Sequence, residues 1–277
     1  MPDERPTLDT IEPATALRET LAAVDGDGAV SLLDPPRVYL DALATLCREE
    51  AVPARLRVIA QTGPLSWLRD HFPNATLLQS AVEADRLAIR RHDCDRETPL
   101  AVGPGGAAPL LHVDSHAASA PFHEGAFLGH LRDRCAALWD DAEVYGLRAP
   151  AREAYRSTAP DHLGESFRDA FDEAVAVAAS LDDPTAFHPV PAALVVGAER
   201  ERLLYDLCRW GDASGVASSA SFSRHKNRLE ADGVIETENV PVEVGRPRQR
   251  LFLADTYRTR LAEGGREALL RATAVIE

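Results

Sequence analysis

One stretch, SASFSRHKNRLEADG (Ser219 to Gly233), constrains the fold more than any other part of the chain. Phe222 and Leu229 stand seven residues apart, two helical turns, and predict a single buried stripe; Arg224, Asn227 and Arg228 then fall on the opposite side. Ser219 and Ser221 suit an N-cap, and Gly233 suits a C-terminal stop. Upstream, Ala198 to Trp210 predicts a helix with Leu203, Leu204, Leu207 and Cys208 inward, closed by Gly211, and Ala213 to Ser218 a short second helix of small residues. Downstream, two β-runs, Val234 to Val240 and Gln249 to Ala254, flank a loop containing Gly245, Arg246, Pro247 and Arg248. Helix, short helix, helix and a hairpin with a basic tip is the order of a winged helix-turn-helix, an α+β domain expected over residues 189–277.

In that arrangement the third helix enters the major groove of DNA and the wing lies along the backbone or in the minor groove. Charge decides whether such a use is plausible. The chain of 277 residues has 44 acidic against 30 basic residues, a net charge of −14, which argues against phosphate as a general partner. Between Arg209 and Arg260, however, nine basic residues stand against seven acidic ones, so this window is +2. The expected DNA contacts are Ser219, Ser221, Ser223, Arg224, Lys226, Asn227 and Arg228 on the helix, and Arg246, Arg248 and Arg250 on the wing. Arginine can hold guanine bidentately and asparagine adenine. Lys226, the chain's only lysine, stands where an apolar residue is usual and is expected to snorkel outward. The competing expectation is a winged helix that binds another protein through a solvated charged face. One winged helix reads little DNA, so a homodimer on paired half-sites of double-stranded promoter DNA is expected.

The remainder predicts an α/β domain over 1–146 and a helical connector over 147–188. Ile11 to Val24 is a leader helix. The apolar runs AVSLLD (Ala29 to Asp34) and LRVIA (Leu56 to Ala60), with a helical pattern from Val38 to Cys47 between them, make one βαβ unit and a parallel strand pair. Leu65 to Phe72 is a short helix and Ala75 to Leu78 a third strand. LAIRR (87–91), PLAVG (99–103) and PLLHVD (109–114) are further strands, with GPGG (103–106) a hairpin turn in which glycine supplies positive φ. Phe127 to Val144 and Ser166 to Leu181 are amphipathic helices and the expected dimer contacts.

Little in this half carries chemistry. His112, Asp114 and His116 would share one face if HVDSH were a strand, a possible zinc set, but an exposed edge running into a loop is the stronger expectation. HDCD (92–95) has no metal spacing and reads as a turn. No GxSxG, nucleotide loop or informative Cys/His pair occurs, so no enzyme, cofactor or metal is expected, with a hydrolase in the α/β half as the weaker alternative. Four widely spaced cysteines without CxxC, no leader-like apolar run and no transmembrane-length segment place the chain in the cytoplasm, away from membranes. An acidic surface in which arginine nearly replaces lysine suits a salt-saturated, halophilic interior; a GC-rich genome would also favour arginine over lysine.

SRHKNRLEADGVIE resembles the recognition helix and turn of ArsR-like winged helix regulators, matching at Ser223, His225, Leu229 and Gly233. TLDTIEPATALRETLAAV, AVSLLDPPRVYLDALATL and VGRPRQRLFLAD together resemble the haloarchaeal TbsP-like transcriptional regulators across nearly the whole chain. That resemblance implies an archaeal, sequence-specific regulator of metabolic genes acting beside a sugar-responsive regulator of the TrmB type. The α/β half also resembles the phospholipase-D-like sensor domains of archaeal regulators. It has no lysine, so it lacks the HxK motifs of that catalysis, and a sensing role for a small-molecule effector is what the resemblance implies.

Overall fold

The computed structural model describes residues 11–92, 98–114, 116–179, 187–242 and 247–273. The chain divides into two compact units, one of residues 1–70 and 77–148, the other of residues 71–76 and 149–277.

The first unit is a mixed α/β layer structure. Its elements are α1 (Pro13–Val24), β1 (Val30–Leu33), α2 (Arg37–Arg48), β2 (Leu56–Ala60), α3 (Thr62–Asp70), most of α4 (Phe72–Glu83), β3 (Leu87–Arg91), β4 (Leu100–Gly103), β5 (Gly106–Pro109), β6 (Leu111–Val113), β7 (His116–Ala118), α5 (Ala126–Asp141) and β8 (Glu143–Val144). Six strands form one sheet in the order β5-β4-β1-β2-β3-β8, with β1, β2 and β3 parallel and the outer pairings antiparallel. Every residue of β1 is buried, as an unbroken apolar run at the centre of a parallel sheet must be. Alternation splits the sheet's side chains: Leu33, Ile59, Val102 and Ala107 pack under Leu128, Cys135 and Leu138 of α5, and their neighbours point to the other face.

Two expectations need correction here. Residues 75–78 lie in α4, not a strand; all four are buried, and a short buried run has no period to separate helix from strand. The β4–β5 turn does not need positive φ. A Cβ on Gly103 or Gly105 would sit 2.2 or 2.3 Å from the carbonyl oxygens of Val24 and Asp25, so glycine is required there for close approach to the end of α1. For HVDSH the weaker reading, one strand presenting all three side chains, does not form: exposed β6 ends at Val113, Asp114 has φ 53°, Val113 pairs with His116, and His112 sits edge-on to Tyr39. Among the described residues, no three His, Cys, Asp or Glu side chains gather as metal ligands.

The second unit comprises α6 (Arg152–Leu163), α7 (Glu165–Ala179), α8 (Pro189–Glu199), α9 (Leu204–Ser214), α10 (Ser219–Ala231), the antiparallel hairpin β9 (Ile235–Val240) and β10 (Arg248–Leu253), and α11 (Asp255–Ala272), which kinks at Gly265. The expected connector is therefore part of this unit's core. Phe167 and Phe171 of α7 pack edge-on against Trp210 at 5.1 and 5.3 Å, and the Trp210 indole donates to the Tyr155 carbonyl of α6 at 3.0 Å. The helix boundaries also move. α8, PVPAALVVGAE, is buried from Val190 to Ala198 and so shows no polar face; its prolines start the helix. Gly211 does not end α9 but lies inside it, where a Cβ would come 2.2 Å from the Phe222 ring; the left-handed stop is Gly215 (φ 77°). Residues 216–218 are the turn, not a helix.

Candidate nucleic-acid interface

α9, the turn after Gly215 and α10 form a helix-turn-helix. α10 is held from below by Phe222 and Leu229, both buried, with Phe222 also against Trp210. Its N-cap is Ser218, whose hydroxyl accepts from the Ser221 amide, rather than Ser219 or Ser221. Ser219 is tied to Asp212 of α9 by two bonds, amide to Oδ1 at 3.2 Å and hydroxyl to Oδ2 at 2.7 Å, which brace the turn. Ser221 faces His225, and Ser223 bonds back to the Ser219 carbonyl.

Ser223, Arg224, Asn227 and Arg228 are exposed on one side of the helix. Arg224 and Asn227 make no hydrogen bond or ion pair among the described residues. Arg228 has only a long, solvent-exposed pair with Asp232 at 3.8 Å, which is worth little in water. Lys226 overturns its expectation. Its side chain is 6% exposed, and its ammonium donates to Glu230 Oε2 at 2.8 Å. Glu230 also accepts from Thr237 of β9, and the two bonds hold its carboxyl below the usual range. The i,i+4 glutamate captures the lysine and turns it toward the hairpin, away from any helix-reading surface.

On the hairpin, Arg250 stands opposite Glu238 and Arg248 opposite Val240. Arg248 begins β10 rather than sitting in the loop. Its guanidinium lies 3.4 Å from the ring centre of Tyr205, and Arg209 lies 5.8 Å from the same ring. Tyr205 is 42% exposed, so the α9 face carries an aromatic platform with two cations. Tyr205 and Arg209 were not expected in the site; their i,i+4 spacing before the turn was the available signal. Arg246 lies outside the described residues.

Two family models match consecutive parts of the chain: the TbsP-like transcriptional regulator N-terminal domain over residues 8–150, and the TbsP-like C-terminal HTH domain over residues 151–273. The first lends no support to a phospholipase-D-like fold. No curated protein matches the chain. A solved structure of TrmBL2, described as an archaeal chromatin protein with a novel mode of DNA binding, aligns at 13% identity and a TM-score of 0.34. The alignment covers 52% of this chain and spans 55% of that one. Among the described residues, no helix is long and apolar enough to cross a membrane. With a matched N-terminal domain and a helix-turn-helix matched by the second model, the chain belongs to the TbsP-like transcriptional regulator family.

Proposed function

We propose that this protein is a sequence-specific, non-enzymatic regulator that reads double-stranded promoter DNA with α10. The observation that carries this reading is the single exposed row Ser223, Arg224, Asn227 and Arg228 on a helix anchored through Phe222 and Leu229. Such a row suits the major groove, where arginine and asparagine each discriminate bases by about 1–3 kcal/mol. Arg248 and Arg250, with Arg209 and Tyr205, form the backbone-holding part. Lys226 is not in the set.

The regulator works as a cytoplasmic homodimer on metabolic promoters, and the first unit senses an effector. α7 drops out as a dimer contact because its apolar stripe is spent on Trp210 and Tyr155. α5 keeps Phe127, 64% exposed, for that role. A monomer at micromolar concentration by sedimentation would remove the dimer. In molar KCl the counterion-release contribution is nearly spent, so binding there rests on base contacts and shape. Mapping genome occupancy with and without a glucose-type carbon source tests the whole reading. A shared motif beneath the occupied sites supports it, and occupancy without a motif favours recruitment by another protein.

A further inference from the structure

The first unit has a cleft of about 410 Å³ between the sheet and α5. Its lining includes Arg57 of β2 and Arg132 of α5 and, among the described residues, no carboxylate. That is unexpected on a chain of charge −14. Each guanidinium is fixed by groups that leave its charge uncompensated. Arg57 lies over the Trp139 indole at 4.6 Å and makes no hydrogen bond or ion pair among the described residues. Arg132 donates from Nε to the Gly103 carbonyl at 3.2 Å and from Nη2 to the Pro104 carbonyl at 2.6 Å, and it too has no acidic partner there. Two carbonyls occupy two of its five N–H groups, and the rest stay available. Strand register sets Ser31 beside Arg57 on this face, and its hydroxyl has no partner among the described residues.

Held guanidiniums without counter-charges, a hydroxyl between sheet and helix, and a cavity the size of a small metabolite are the requirements of an oxyanion site. We propose that this cleft binds a small metabolite through a phosphate or carboxylate group held by Arg57 and Arg132. The consequence for regulation rests on the reading of the first unit as the sensing half; the binding itself does not.

Calorimetric titration of the full chain without DNA, at one fixed KCl concentration, tests it with three probes: inorganic phosphate, glycerol 3-phosphate and succinate. At least one should bind saturably, and the ratio of phosphate probes to succinate identifies the anion class. Arg132→Gln should weaken that binding tenfold or more, and Arg57→Gln likewise. Arg37→Gln, whose guanidinium lies over Trp67 elsewhere in this unit, should leave it unchanged. Arg132 is exposed, so its variant reports even if the Arg57 variant fails to fold. No saturable binding of any probe, or equal binding by the wild type and Arg132→Gln, overturns the proposal. Promoter binding measured on the same samples reports separately on the DNA reading.

Discussion

The second unit holds two sets of cations built in opposite ways. Arg266 and Lys226 turn inward and are spent on glutamates. Arg266, 4% exposed, bonds Glu199 at 2.6 and 3.2 Å and Glu173 at 2.9 Å, tying α11 to α7 and α8. Arg224 and Arg228 turn outward and Arg248 lies over exposed Tyr205; among the described residues none of the three is held by a close carboxylate. The difference separates charge that maintains the fold from charge available to a polyanion. Net charge cannot make that distinction, and neither can residue type: the lone lysine and one of the arginines fall in the inward set.

Substitutions can break this division. Arg266→Met should have the largest effect, since it removes the bidentate partner of Glu199, 11% exposed, and the partner of Glu173, leaving Glu199 only its single bond to the more exposed Arg200 at 3.1 Å. Chemical denaturation should show a loss of about 3 kcal/mol; a loss below about 1 kcal/mol would place Arg266 with the outward set. Arg224→Ala or Arg228→Ala should cost tenfold or more in affinity for a specific promoter, in line with about 1–3 kcal/mol per base contact. Melting should stay unchanged, and a parallel fall in stability would contradict their outward role. Arg248→Ala should weaken binding to specific and unrelated DNA alike and reduce the salt slope by about 1, as loss of one phosphate contact does. Tyr205→Leu should reproduce part of that loss by freeing the guanidinium.

Lys226→Met should do least. It should leave DNA affinity unchanged and cost under about 1 kcal/mol at neutral pH, because its partner Glu230 is partly exposed. The pH dependence has a definite sign. Glu230 titrates below its ordinary value when folded, so its contribution is present at neutral pH and is lost as pH falls below about 4.5. The stability difference between wild type and Lys226→Met should therefore shrink as pH falls through that range.

The outward row on α10 was legible from sequence because an exposed helix with one buried stripe has a period. The parts that were not legible lack that signal. α8 is apolar on every side and was missed, so that a helix read from Ala198 joined its end to α9 across the break at 200–203, and residues 75–78 gave a strand-like run inside a helix. Gly211 reads as a stop along the chain, but its role comes from a ring eleven residues later in another helix. Lys226 is outward by type and inward by virtue of Glu230 and Thr237, a tertiary arrangement that spacing alone half reveals. In the first unit, the parallel strands were visible as apolar runs. That Arg57 of the sheet and Arg132 of α5 line one cleft was not, because the two are seventy-five residues apart in sequence.

The central claim is that α10 reads bases through its outward row. Selection of bound sequences from a random double-stranded pool, run in parallel on wild type and Arg224→Ala, tests it most directly. The account predicts a defined motif for the wild type and the same motif with preference lost at one position for the variant. An identical motif from both proteins, or no motif from the wild type, would contradict it.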